Sequence, residues 1–297
     1  MTSGLGNADE RGFCVSTTGM IGNLVETVGG ENFHAVTLMG QGVDPHLFKP
    51  TRDDVVLVRQ AKALFYNGLH LEGRMGAVFN NLPRSQLKLV IGEWVWDQHG
   101  RSDTSQPHPE DPHIWMDVSL WAQAPIAIAD TLTLLQPENK TALKSRAEKL
   151  RERLLALDKY GQKLIDTIPD KQRILITSHD AFQYFGKRYN IEVRGVQGMS
   201  TESEAGLATI SELVNMIVDR AIPTIFVESS VSSNTMRALV EGCAARGKKI
   251  ELGGPLFSDA LGPSGTYEGT YIGMMDHNFR LIAKGLGGNV TDERFEK

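Results

Sequence analysis

ENKTALKSRAEKLRERLLALDKYGQKLIDTI, residues 138–168, is dense in charge yet keeps a regular apolar spacing. Leu143, Ala147, Leu150, Leu154 and Leu157 recur at steps of three or four, which lines them along one helix face. Lys144 and Glu148 add an i,i+4 pair, and no Gly interrupts the pattern before Gly161. Roughly 28 helical residues at 1.5 Å each reach about 42 Å, enough to run the length of a two-lobed protein. The plainer reading is an ordinary surface helix. Lying between two similar halves, the segment is read here as the helix that spans them.

Working outward, short apolar runs alternate with amphipathic stretches on both sides. In the first half strands are expected at 13–18, 33–39, 63–66 and 87–91, with helices at 21–28, 52–60 and 72–80. In the second half strands are expected at 173–177, 192–196, 224–227 and 249–252, with helices at 181–189, 207–220, 234–246 and 271–286. Such alternation predicts parallel sheets with helices on their faces. The expected fold class is α/β: two α/β lobes, each with a central mainly parallel sheet, joined by one long spanning helix. The N-terminal lobe is placed at 12–137, the linking helix at 138–168 and the C-terminal lobe at 169–288. Residues 97–110, polar and rich in turn formers, read as the most loop-like segment.

At 297 residues and 41% apolar composition the chain is long enough to bury two cores. Its net charge of −5 and the lack of any Lys/Arg run remove the electrostatic footprint of nucleic-acid binding. No apolar stretch is expected to approach the roughly 18 to 20 residues that span a bilayer. Residues 1–11 form a polar start without the apolar core of a signal peptide, so the chain is expected to be soluble. Such a start fits a mature domain carried without its export signal. Cys14 and Cys243 are too few for a disulfide framework or a thiolate metal site. One falls in the first expected strand and the other in a late helix, and they are expected to stay unbridged.

The tripeptide Asp-Pro-His occurs twice, as Asp44-Pro45-His46 and Asp111-Pro112-His113. Ligands of open α/β sheets gather beyond the carboxyl ends of strands, and a Pro before the His restricts the loop that presents the imidazole. Either histidine alone reads as a hydrogen-bonded loop residue; the repetition raises the reading that both are ligands. His179 lies in the polar turn after the apolar strand Ile174-Leu175-Ile176-Thr177, and Asp259 follows the last strand in Leu256-Phe257-Ser258-Asp259. Two candidates thus come from each half, as a cleft site requires. Three imidazoles and one carboxylate suit zinc, and manganese tolerates the same set with a further carboxylate oxygen. Glu228, at a strand's carboxyl end, is read equally as a carboxylate that orients a ligand imidazole or as a structural one. His99 and His108 are expected in a solvated loop. His70 and His277, in helical contexts, and His34 are expected to be structural.

Six stretches carry a family resemblance: residues 40–48 (GQGVDPHLF), 65–72 (FYNGLHLE), 111–118 (DPHIWMDV), 177–185 (TSHDAFQYF), 226–230 (FVESS) and 256–262 (LFSDALG). In that order, over nearly the whole chain, the sequence resembles the TroA-type solute-binding proteins that serve zinc and manganese ABC importers. The resemblance implies two α/β lobes joined by a rigid helix, with metal ligands at His46, His113, His179 and Asp259. It also implies a transported Zn2+ or Mn2+ ion, an ABC membrane permease as partner, and a periplasmic or membrane-anchored location outside the cytoplasm. A monomer is expected. Some relatives, mainly manganese importers, carry Glu at the position of His179, so the His favours zinc. Zinc-dedicated members often insert a long His-rich loop before the second ligand, where this chain has His99 and His108.

Three other readings compete. A zinc hydrolase could use the same donors, but the sequence has no HExxH helix, P-loop or GxSxG elbow. A binding protein for haem or a siderophore would want an aromatic or Arg-lined cavity. An adhesive surface protein finds no support in any sequence feature. The sequence is therefore expected to encode a metal-capture protein, not an enzyme.

Overall fold

The computed structural model of the protein describes residues 12–100, 110–203 and 206–296. Residues 1–11 and His108 lie outside the described residues. The first half builds β1 (Gly12–Thr18), α1 (Gly19–Gly29), β2 (Phe33–Met39), α2 (Arg52–Gln60), β3 (Ala63–Tyr66), α3 (Gly76–Asn80), β4 (Leu87–Val90) and α4 (Ile91–Val95). Its four strands pair in the order β2-β1-β3-β4, all parallel. After α5 (Val118–Trp121), α6 (Ala124–Leu135) and α7 (Lys140–Ile165), the second half builds β5 (Ile174–Thr177), α8 (Gln183–Tyr189), β6 (Glu192–Gly195), α9 (Leu207–Asp219), β7 (Thr224–Glu228), α10 (Asn234–Ala245), β8 (Glu251–Leu256) and α11 (Tyr271–Gly285). Here the order is β6-β5-β7-β8, again all parallel. The molecule is thus two α/β lobes with one strand order used twice, and each sheet gathers its loops at its own carboxyl end.

The 26-residue α7 is the element that joins them. Its expected stripe of Leu143, Ala147, Leu150, Leu154 and Leu157 is buried throughout. Toward the first lobe, Arg146 donates from Nε to the Val28 carbonyl at 2.6 Å and from Nη2 to that of Gly29 at 2.9 Å. The cation thereby satisfies carbonyls at the end of α1, where the helix dipole favours positive charge. Toward the second lobe, buried Asp158 accepts two guanidinium bonds from Arg188, at 2.9 and 2.5 Å, and the Tyr189 hydroxyl at 3.1 Å. Further along, Gly161 lets α11 approach closely, for a Cβ there would lie 2.3 Å from the Phe279 ring. One continuous apolar cluster runs from Leu24 and Trp121 through the α7 stripe to Phe185 and Phe279, and a smaller cluster lies apart from it in each lobe.

Several expectations need correction. The pair α5 and α6 occupies a stretch to which the periodicity assigns no element. Val118–Leu135 is also long and apolar enough to cross a membrane by length and composition, although 56% of it is buried inside the protein. It is a core segment, with α6 packed on α7 and α1. Trp96–Gly100 is a π-helical turn continuing α4, so the expected loop at 97–110 starts in helix. Strand β8 extends to Leu256 through Gly253, Gly254 and Pro255, residues that weaken a strand but are tolerated on an edge. His70 lies in a turn with φ of 65°, following Gly68 at 74° and Leu69 at 51°, rather than in a helix. His277 is helical, and its Nε2 donates to the Pro255 carbonyl at 2.9 Å. Cys14 and Cys243 are both free and buried.

Candidate metal centre

Both Asp-Pro-His tripeptides make the same local turn. The backbone N–H of His46 donates to Asp44 Oδ1 at 2.8 Å, and that of His113 donates to Asp111 Oδ1 at 3.0 Å. A short carboxylate reaching a backbone N–H two residues on closes an Asx turn, and the intervening Pro fixes the chain between them. The Asp is therefore what the repeated motif adds to a lone histidine. Asp111 does more, because its Oδ1 also takes the His113 Nδ1–H at 2.8 Å. This leaves the Nε2 lone pair of His113 directed away from Asp111, the tautomer a ligand needs.

His179 is set in a comparable way from the second sheet. Strands β5 and β7 are neighbours, so Glu228 at the end of β7 lies beside the turn that follows β5, where His179 sits two residues past the strand. Its Oε1 accepts the His179 backbone N–H at 2.8 Å and its Oε2 lies 2.6 Å from Nδ1. Of its two sequence readings, the carboxylate that orients an imidazole is the one with these contacts. Asp259 follows β8 and faces the imidazoles. His179 Nε2 is 3.1 Å from Oδ2, His113 Nε2 is 3.5 Å from Oδ1 and His46 Nε2 is 3.9 Å from Oδ2. His46 and His113 meet Nε2 to Nε2 at 3.3 Å.

The structure thus brings His46, His113, His179 and Asp259 together, with one donor atom of each within 4.8 Å of all the others. His113 and His179 are fully buried, Asp259 is 2% exposed and His46 6%. Both Asp259 oxygens, both ring nitrogens of His179 and Glu228 Oε2 lack a hydrogen-bond partner of acceptable geometry. Buried polar atoms are rarely left so, since each forfeits its hydration. A divalent ion is the partner that would satisfy a carboxylate and several imidazole lone pairs at once.

The charges respond to this crowding. Burial is the largest influence on Asp259 and pushes its carboxyl up, but His179, then His113 and His46, hold it well below the usual range. Burial likewise works against protonation of His179, yet Glu228 and Asp259 raise it well above an ordinary histidine. His46 is lowered to about 4, by burial first and by its two neighbouring imidazoles, with Asp259 opposing.

The residues around this cluster include several that sequence reasoning did not single out. Asn67, just after β3, donates from Nδ2 to the Pro112 carbonyl at 2.9 Å and so fixes the loop that carries His113. Buried Glu72 holds the positive-φ turn behind it, accepting from Thr17 Oγ1, Asn67 N and Gly68 N at 2.7, 2.8 and 3.1 Å. Burial pushes the Glu72 carboxyl up, against these bonds. Trp115, two residues beyond His113, donates its indole N–H to the Ser258 carbonyl at 2.9 Å, next to Asp259. The FYNGLHLE and DPHIWMDV stretches contain these residues, but nothing in their spacing announces the pairings. His99 is exposed, with its ring 5.7 Å from that of Trp94, and is not part of the cluster.

Comparison with known proteins agrees with this architecture. Residues 14–285 match the model of the family described as zinc-uptake complex component A, periplasmic (ZnuA). The manganese-binding lipoprotein MntA of Bacillus subtilis is 38% identical over 280 residues, covering 94% of this chain and 91% of the relative. The zinc-binding protein TroA of Treponema pallidum is 40% identical over 279 residues, covering 94% and 90%. The solved structure of TroA superposes with a TM-score of 0.87 over 93% of this chain and 99% of that one. With a family match over almost its whole length and two parallel-sheet lobes on one long helix, the chain belongs to the ZnuA/TroA family of metal-binding substrate-binding proteins.

Proposed function

We propose that this protein captures one divalent transition-metal ion, zinc or manganese, between its lobes and delivers it to an ABC import permease. The ligands are His46 and His113 from the first lobe and His179 and Asp259 from the second. The observation that carries this reading is the meeting of four buried donor atoms within 4.8 Å. A cluster of that diameter suits a bare ion and leaves no space among its donors for a haem or siderophore. Four closing ligands also leave no open coordination position for the activated water of a zinc hydrolase, which argues for binding rather than catalysis. Neutral imidazoles rank zinc above manganese on intrinsic affinity, while Asp259 offers a second oxygen to a manganese ion of higher coordination number. One relative is named for zinc and the other for manganese, and this site is read as accepting both.

The lobes correspond to residues 12–137 and 169–288, with 138–168 as the helix between them. The protein works as a monomer outside the cytoplasmic membrane, where such a permease takes its cargo. The test is metal analysis of protein purified without added metal, with competition titration of zinc and manganese. One ion per chain is expected. Replacing His46 or His179 by Ala should weaken binding at least about a hundredfold, as loss of a direct ligand does. Titrations of both variants that match the parent would remove these residues from the site.

A further inference from the structure

The loops that carry the four proposed ligands are not held alike. His113 and Asp259 are locked together across the lobes from below. The Trp115 indole N–H reaches the Ser258 carbonyl at 2.9 Å, and the Tyr271 hydroxyl donates to the Trp115 carbonyl at 2.5 Å. All these residues are buried. His179 is held within its own sheet by Glu228, which accepts its backbone N–H and lies 2.6 Å from its ring Nδ1. The chain at residues 40–50, which presents His46, contains neither helix nor strand. His46 is also the most exposed of the four.

Packed on its own lobe by Val43 and Phe48, this loop is tethered to the opposite lobe through the carboxylate of its Asx turn. Asp44 divides its oxygens: Oδ1 takes the His46 N–H at 2.8 Å, while Oδ2 takes the hydroxyl of Thr201, from the second lobe, at 2.6 Å. The neighbouring Glu202 also crosses, to Arg74 at 3.3 Å, but those side chains are 53% and 37% exposed. An exposed ion pair is screened and holds little. The Thr201 hydroxyl bond is half-buried and charge-assisted, hence stronger. For the 40–50 loop to swing away from the second lobe, this bond must break; the Trp115–Ser258 contact below need not.

We infer that Thr201 is a positioning residue that latches His46 through Asp44 and sets the rate at which the ion escapes. The inference rests on the proposed ion site and adds a release order to it. His46 leaves first, while His113 and Asp259 stay fixed to each other. Capture then depends on a loop that closes after the ion arrives, so the latch acts on dissociation and leaves association nearly untouched.

Stopped-flow zinc association and chelator-driven zinc dissociation test this on the parent, Thr201→Val, Thr201→Ser and Arg74→Ala. Valine keeps the shape of Thr201 and removes its hydroxyl, whereas serine keeps the hydroxyl. Thr201→Val should dissociate about tenfold faster, the scale of one hydrogen bond to a charged group, with association within about twofold of the parent. Thr201→Ser should stay near the parent, and Arg74→Ala within about twofold. A parent that binds neither zinc nor manganese overturns the ion-capture reading and the latch with it. Where the parent binds, the latch alone is overturned if Thr201→Val dissociates at the parental rate or changes association instead. It is also overturned if Thr201→Ser or Arg74→Ala matches the acceleration of Thr201→Val.

Discussion

Asp259 sits where three imidazoles would otherwise face one another's lone pairs, and its carboxylate makes their proximity tolerable. The same charge, with that of Glu228, outweighs burial and raises His179 well above an ordinary histidine. An ion that coordinates His179 Nε2 competes with a proton for that nitrogen. Binding at pH 7 should therefore release protons, and affinity should rise about tenfold per pH unit until the raised pKa of His179 is passed. The stability terms have opposite signs. His179, raised in the folded protein, contributes stability below its unfolded value near 6.5, lost as the pH climbs through the folded one. His46, lowered to about 4, contributes above 6.5 and loses its contribution as the pH falls towards 4. Calorimetric zinc titrations in buffers of differing ionisation enthalpy will measure the release; heats independent of the buffer would contradict it. At this scale the sequence was informative where chemistry is local. The doubled Asp-Pro-His and the strand-terminal positions of His179 and Asp259 were readable from neighbours in the chain. Asn67, Glu72 and Thr201 were not, because each acts on a partner 45, 55 or 157 residues away.

Among the elements, α7 was legible because one apolar stripe persists over most of its 26 residues, and periodicity needs length to stand out. The short α5 gives no such run, and α6 carries apolar residues on its outer side too, Leu134 being 70% exposed, so no single stripe stands out. The sequence pattern ends β8 early because Gly and Pro normally end strands, and its edge position is a property of the sheet rather than of the segment. Gly161 shows how an element's interior can depend on its neighbour. Alanine there should favour the helix itself by about 1 kcal/mol. Its Cβ would, however, meet three ring atoms of Phe279, which is fully buried against Phe185 and Tyr189 and has no room to retreat. Overpacking is expected to prevail, so Gly161→Ala should be destabilising by about 1 to 3 kcal/mol in chemical denaturation. An unchanged or raised midpoint would mean that α11 can slide away from α7.

For the whole molecule, the twofold use of one strand order suggests a pair of separable bodies, but the apolar cluster disagrees. It passes from Leu24 and Trp121 along α7 into Phe185 and Phe279 without a break. Each lobe therefore leans on a wall that the other lobe and α7 supply together. If either came apart, the remaining half would expose that wall to water, and the residual apolar burial would be too small to offset its chain entropy. Scanning calorimetry should show one transition, with calorimetric and van't Hoff enthalpies in agreement, and a saturating ion should move that whole transition upward. Two resolved transitions, with the ion shifting one of them, would show that the lobes fold separately. A protease that nicks the thermally opened chain then has no sturdy half-length core to leave behind: digestion should run from intact protein to small peptides, with no durable fragment between.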